Sequence, residues 1–259
     1  MDIMDTNDRT DAFLDQHSQL QPREPFTFCC HPGVSCFNAC CSRLCLILTP
    51  YDVYRLHCSL NLPSNEVLHQ YADLHVAEDT GLPCFYLRML DDEKGSCPFL
   101  RKEGCSVYNN RPGACRAYPL GRAARMDAHG HKEERFFFIR ENHCKGFGED
   151  HKWTPATWME NQGLTSYNLS NDRYMGLMTR QQNAHVRITP QKLGMVLMAL
   201  YNVDGFQDFI ARMHLLDRLD MSAARKQEIF HQEDQTLAFG FDWAEMIIFG
   251  SSRNIRPLH

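Results

Sequence analysis

All twelve cysteines of this 259-residue chain fall between Cys29 and Cys144, and none follows Glu149. Thiols at that density pair as disulfides, pack as small apolar groups, or hold metal as thiolates. The start of the chain, Met1 to Pro25, lacks the basic-then-apolar pattern of an export signal and is dominated by Asp2, Asp5, Asp8, Asp11 and Asp15. The expectation is therefore a mobile acidic arm on a cytoplasmic protein, in a reducing pool where structural disulfides seldom persist. Metal thiolate chemistry follows as the leading expectation.

The densest run is Phe28-Cys29-Cys30-His31-Pro32-Gly33-Val34-Ser35-Cys36-Phe37-Asn38-Ala39-Cys40-Cys41-Ser42-Arg43-Leu44-Cys45. Metal–sulfur bonds are about 2.3 Å long, so several sulfurs must converge on one point, and a short loop achieves this only if turns fold it back. Pro32-Gly33 supplies such a turn. Adjacent cysteines such as Cys40-Cys41 point in different directions, so one peptide feeds two positions. A second group contains Cys97-Pro98-Phe99-Leu100, Cys105-Ser106-Val107-Tyr108 and Arg111-Pro112-Gly113-Ala114-Cys115-Arg116-Ala117-Tyr118-Pro119-Leu120, with Cys144 as an outlier. Arg111 and Arg116 flank Cys115. Four thiolates leave a metal site anionic, and a guanidinium nearby would offset that charge or hold a ligand's carboxylate.

Charge removes one class of partner. Lys plus Arg number 27 against 32 Asp plus Glu, a formal net charge of −5, which provides no bulk positive field for a phosphate backbone. The longest apolar runs, Leu44–Leu48 and Gly194–Leu200, fall well short of the ~20 residues of a membrane-spanning helix. Neither nucleic acid nor a membrane is expected as a partner.

The chain has two compositional halves. The first is broken by turn-forming stretches, with a helix opening at Thr49-Pro50, a second short helix from Ser64 through Val67, Leu68 and Tyr71, and an aromatic strand over Phe136–Ile139 expected to pair near Cys84–Met89. From Trp153 onward the periodicity is helical. Thr154-Pro155 and Thr189-Pro190 read as helix starts, Leu169-Ser170-Asn171-Asp172 as a cap, Asp204-Gly205 as a break before Phe206–Leu219, and Phe239-Gly240-Phe241 as a break within Ser222–Phe249. The expected fold class is α+β, mostly helical: an arm at 1–25, a loop-rich cysteine domain with short strands at 26–150, and a C-terminal helical bundle at 151–259.

The ordered blocks Cys30-x5-Cys36-x3-Cys40-Cys41, Leu48-Thr49-Pro50-Tyr51-Asp52-Val53-x-Arg55-Leu56, Cys97-Pro98-Phe99-Leu100, Cys105-x-Val107-Tyr108-x-x-Arg111-Pro112-x-x-Cys115-Arg116-x-Tyr118-Pro119-Leu120 and Cys144-x-Gly146 resemble the YkgJ-type cysteine-cluster family, the zinc- or iron-chelating CxxCxxCC domain. The resemblance spans about residues 26–148, and the Trp153-Thr154-Pro155-x-x-Trp158 block looks like that of longer members. It implies metal ligation by Cys30, Cys36, Cys40, Cys41, Cys97, Cys105, Cys115 and Cys144. The opening is wider than the compact CxxCxxCC spelling. Cys58 and Cys84 read as packing residues, and Cys29 and Cys45 as surplus ligands or exposed thiols.

Iron and zinc both accept four thiolates in tetrahedral geometry. Zinc ribbons usually present Cys-x2-Cys knuckles, of which this chain has none, and the uneven spacing suits an iron–sulfur cluster, [4Fe–4S] first, with zinc as the alternative. The expected role is redox or catalytic, with a protein redox partner or a protein substrate. One alternative is an S-adenosylmethionine-dependent protein lysine N-methyltransferase, since the cysteine blocks are similar to those of flagellin lysine N-methylase; another is a structural zinc module for protein contacts. No Ser-His-Asp order, catalytic carboxylate pair or phosphate loop stands out, so no catalytic residue is assigned.

Overall fold

The computed structural model describes residues 18–76, 83–126 and 132–258, so residues 1–17 of the expected acidic arm lie outside the described residues. The fold is α+β and mostly helical, with nine α-helices and short antiparallel strands among the described residues. The chain forms two compact units that interleave along the sequence: Met1–Ser42 with Gly113–Ser166, and Arg43–Pro112 with Tyr167–His259. The seam expected near Glu149–Lys152 therefore lies inside the first unit.

In the first unit, Lys132–Phe138 is the centre of a three-stranded sheet, flanked by Leu120–Met126 and Gln19–Leu20. The aromatic strand thus pairs with its own hairpin neighbour, Leu120 opposite Phe138, and not with the stretch near Cys84. A hairpin closes a short loop, whereas the expected pairing required a long one. Leu20, opposite Phe136, is buried, so this end of the expected arm is tied into the sheet.

Beside the sheet, Phe26–Thr27 pairs with Lys152–Trp153. The two strands deliver rings to an edge-to-face cluster: Phe28 packs on Tyr118 at 6.0 Å, on Phe147 at 5.4 Å and on Trp158 at 5.5 Å between centroids, and Trp153 on Trp158 at 5.1 Å. Each indole N–H finds a backbone carbonyl, Trp153 at Phe28 (2.9 Å) and Trp158 at Ala117 (2.8 Å). The Trp-Thr-Pro-x-x-Trp block therefore builds both a helix start, with Thr154 capping Pro155–Asn161, and half of this core.

The second unit contains a sheet ordered Ile47–Leu48, Pro83–Leu87, Ala72–Val76, and a small hairpin of Leu100–Arg101 with Gly104–Cys105. Thr49 caps the helix Pro50–Leu60 through a capping box closed by Asp52, as the Thr-Pro step predicts. The helix Ser64–Tyr71 follows, and the helices Thr165–Asn183, Pro190–Tyr201, Val203–Arg212, Ala223–His231 and Glu233–Phe249 complete the unit. Its core includes Phe206, Ile210, Leu215, Ile229 and Phe239.

Three helix boundaries differ from expectation. Leu169-Ser170-Asn171-Asp172 lies inside Thr165–Asn183, because Tyr167, Tyr174 and Leu177 are buried along one face and this packing overrides the local capping preference. Asn202 rather than Asp204-Gly205 marks the next boundary; its side chain accepts from Gly205 N–H at 3.3 Å, while Asp204 accepts from Ser64 N–H at 3.0 Å. The break in the last segment falls at Gln232, and Gly240 lies mid-helix where the backbone of Pro190–Tyr201 approaches.

A Cβ at Gly240 would stand 2.1 Å from the Ala199 carbonyl oxygen. In an exposed helix Gly→Ala gains about 1 kcal/mol. Here Gly240→Ala is expected to destabilise by about 1–3 kcal/mol, because backbone must move to admit the methyl group. Urea unfolding at neutral pH checks this, and an equal or raised midpoint would show that the close approach does not constrain the helix.

Candidate metal centre

Four successive turns fold the Cys30–Cys41 stretch: Val34 N–H donates to His31 O, Phe37 to Val34, Ala39 to Cys36 and Cys41 to Asn38, at 2.9–3.0 Å. Asn38 takes a φ of +70°, a left-handed conformation that Asn tolerates better than most residues. Val34 is buried and fastens the middle of the loop to the first unit. The wide intervals between cysteines are thus taken up as turns, which return the sulfurs to one region.

Residues far along the chain close that region. Phe28 N–H donates to His151 O at 2.9 Å, and Cys29 N–H to Gly146 O at 3.0 Å. Lys145 N–H donates to the Cys36 sulfur at 3.1 Å, which sets Cys144 beside the loop. A Cβ at Gly146 would meet the Phe28 ring at 2.6 Å and Cys29 O at 2.7 Å, so this Cys-x-Gly step is a place where only glycine lets two backbones touch.

Electrostatics report the same gathering. Cys30 lies at the surface, yet the surrounding chain and then Cys40, Cys36, Cys144 and Cys29 push its thiol up to about 11. Cys40 moves the other way, to about 7, chiefly because the Cys41 thiol donates to it; partial burial and Glu141 oppose the shift. Burial first, and then Cys144, Glu141 and Cys40, hold the Tyr118 phenol far above its usual range. The Tyr118 hydroxyl is itself buried and faces the Cys144 sulfur, to which it donates in that balance.

A buried donor facing one of several crowded sulfurs fits a centre whose thiolates accept hydrogen bonds and whose metal supplies positive charge. Cys30, Cys36, Cys40, Cys41 and Cys144 are the residues of the first unit placed to hold it, with Cys29 adjacent. Among the described residues no three of these sulfurs lie within 4.8 Å of one another. Four sulfurs around a single tetrahedral ion would stand about 3.8 Å apart.

The other expected residues are distributed as follows. Cys115 sits half-buried on the short helix Gly113–Ala117 of the first unit. Cys97 and Cys105 belong to the second unit, where the Leu100–Cys105 hairpin makes them electrostatic neighbours. Burial raises the Cys97 thiol, and the Phe99 and Leu100 backbone groups and Arg101 oppose that shift. Arg111, also in the second unit, donates to Tyr108 O at 2.7 Å and stacks on that ring; Arg116, in the first, donates to Gln162 O at 2.6 Å. Sequence reasoning gave Cys29 no fixed role, although its adjacency to Cys30 was the available signal. It also missed that Cys45 lies near Cys84, which sits on the strand Pro83–Leu87.

Alkylation of the reduced, metal-free chain tests these shifts. At pH 8 a thiol near 7 is mostly thiolate and one near 11 is about a thousandth so, while the lower basicity of the former costs part of that advantage. Cys40 is expected to react with iodoacetamide on the order of tenfold faster than Cys30, the gap closing as pH rises toward 11. Peptide mass mapping over a time course measures both rates, and equal rates at pH 8 would refute the assignment.

Comparison with known proteins agrees with this geometry. Residues 29–145 match a family model named CxxCxxCC, described as "Putative zinc- or iron-chelating domain". No curated protein and no solved structure gives a significant match to the chain. No helix among the described residues is long and apolar enough to cross a membrane. The matched residues hold the cysteine loop, the Cys97–Cys105 hairpin and Cys144 together with the turns that place them, and over this segment the chain is similar to that zinc- or iron-chelating domain.

Proposed function

We propose that the first unit binds an iron–sulfur cluster through Cys30, Cys36, Cys40, Cys41 and Cys144, and that the protein uses it in a redox role. One observation supports this above the rest: Cys36 and Cys144, more than a hundred residues apart, are brought together by the Lys145 N–H bond to sulfur, with Cys30 and Cys40 close enough to oppose each other's ionisation. Thiolates so crowded need a shared cation to be present together.

Iron–sulfur is favoured over a single zinc ion by the missing Cys-x2-Cys knuckles and by the spread of the sulfurs. A cluster held there would supply one-electron transfer. The chain's own part is to fix its potential. The Lys145 N–H donates to one sulfur and the Tyr118 hydroxyl is available for another; both stabilise added negative charge and favour the reduced state. No observation among the described residues favours methyl transfer over this reading.

Anaerobically purified protein is expected to be brown, with iron and acid-labile sulfide in equal amounts and a broad visible absorption that dithionite bleaches. Cys36→Ser and Cys144→Ser are each expected to lose most of the iron while the far-UV circular dichroism of the chain is retained. Colourless protein carrying stoichiometric zinc would overturn the cluster and leave a zinc-chelating domain.

A further inference from the structure

A different set of side chains in the second unit has the chemistry of a metal site. His57 and Cys58 occupy the last turn of the helix Pro50–Leu60, and Glu233 is the first residue of the helix Glu233–Phe249. Their ligand atoms all lie within 4.8 Å of one another. The His57 ring is mostly buried, Glu233 is about one-third exposed and Cys58 is exposed, so the group opens to solvent on one side.

The tautomer of His57 is set by its surroundings. Nδ1 lies 2.6 Å from the Leu62 carbonyl oxygen, which can only accept, so Nδ1 carries the proton. In the neutral ring Nε2 then presents a lone pair, and it faces both Glu233 oxygens, at 3.2 and 3.3 Å. Two acceptors oppose each other, and either a second proton or a cation must lie between them. An imidazolium–carboxylate hydrogen bond is usually about 2.7–2.9 Å long. Ligands at about 2.0–2.1 Å from one tetrahedral ion stand about 3.3 Å apart. The observed separations fit a shared ion as well as a long hydrogen bond, and the Cys58 sulfur within 4.8 Å of both groups supplies a third ligand for the ion.

Nearby groups suit a cation as well. A ring N–H given to a backbone carbonyl is the usual way a metal-binding histidine is oriented. The carbonyls that end the Pro50–Leu60 helix carry partial negative charge, which offsets the positive N-terminus of the Glu233–Phe249 helix and the Arg55 guanidinium near Cys58. The Tyr54 hydroxyl donates to the Cys58 sulfur, and Asp234 adds a further negative charge nearby.

The geometry points to a second metal site, at which His57 Nε2, the Cys58 sulfur and a Glu233 carboxylate oxygen bind a zinc-class divalent ion and leave its fourth position to water. Nitrogen, sulfur and oxygen donors together suit zinc and not an iron–sulfur cluster, and three protein ligands with one open position is the arrangement of zinc sites that bind or activate a small molecule. The site is independent of the cysteine centre in the first unit, since it shares no residue with it.

Zinc titration of the full-length, anaerobically prepared chain is the test, with wild type, Cys58→Ser, Glu233→Gln and Cys36→Ser compared by equilibrium dialysis and metal analysis. Cys58→Ser and Glu233→Gln are each expected to bind one zinc ion fewer per chain than wild type, with iron content and the visible spectrum unchanged. Cys36→Ser is expected to keep this ion while losing iron. Glu233→Gln nearly preserves shape, so its melting temperature in the absence of zinc separates a lost ligand from a lost fold. Unchanged zinc stoichiometry in both variants, with His57 titrating by NMR as an imidazolium paired to Glu233, would overturn the inference.

Discussion

Sulfur anions repel one another, and the first unit gathers them at a point where each added thiolate makes the next harder to ionise. Cys30 shows the cost most clearly, its proton held by partial burial and by Cys40, Cys36, Cys144 and Cys29. Such an arrangement survives only if stronger, uncharged interactions fix the backbone around it. Those are the four turns of the loop, the Cys29–Gly146 and Phe28–His151 backbone bonds, and the ring cluster that encloses Phe28. The aromatic core stabilises the unit, and part of that stability is set against crowding that a bound cation would relieve. A metal held there would add most to the stability of this region where the thiols repel most.

Much of the fold was legible because the relevant signals are local. A Thr-Pro step placed helix starts at Pro50, Pro155 and Pro190, each with the threonine as cap. The departures come where tertiary contact overrules local preference. Ser170-Asn171-Asp172 has the composition of a cap but lies on a helix fixed by buried Tyr167 and Tyr174. Gly240 has the composition of a break and instead admits a neighbouring carbonyl. Nothing in the order of residues distinguishes a glycine that ends a helix from one that lets two helices touch.

The candidate centre was legible in residue type but only partly in grouping. Blocks of cysteine signalled metal, and the loop from Cys30 to Cys41 with Cys144 does converge within one unit. The interleaved path of the chain put Cys97 and Cys105 into the other unit, and a linear division at residue 150 does not foresee that. Tyr118 illustrates the limit from the opposite side. Its place beside a ligand block does not say whether it packs or donates; its ring packs on Phe28, and its hydroxyl faces the Cys144 sulfur. A residue can serve the core with one end and the centre with the other.

The His57–Cys58–Glu233 group lay beyond sequence reasoning for a physical reason. Its members are separated by 176 residues between His57 and Glu233, and Cys58 taken alone has the features of an ordinary small packing residue. What distinguishes it is a conflict visible only in three dimensions, a histidine lone pair turned toward a carboxylate by a carbonyl on the ring's other side. The two donor sets also differ in hardness. An all-sulfur group accepts an iron–sulfur cluster or zinc, whereas nitrogen, sulfur and oxygen together suit a single borderline ion with an open coordination position. The two groups share no residue, so a metal held at one would leave the ligands of the other in place, and the mixed set would differ in keeping one position open.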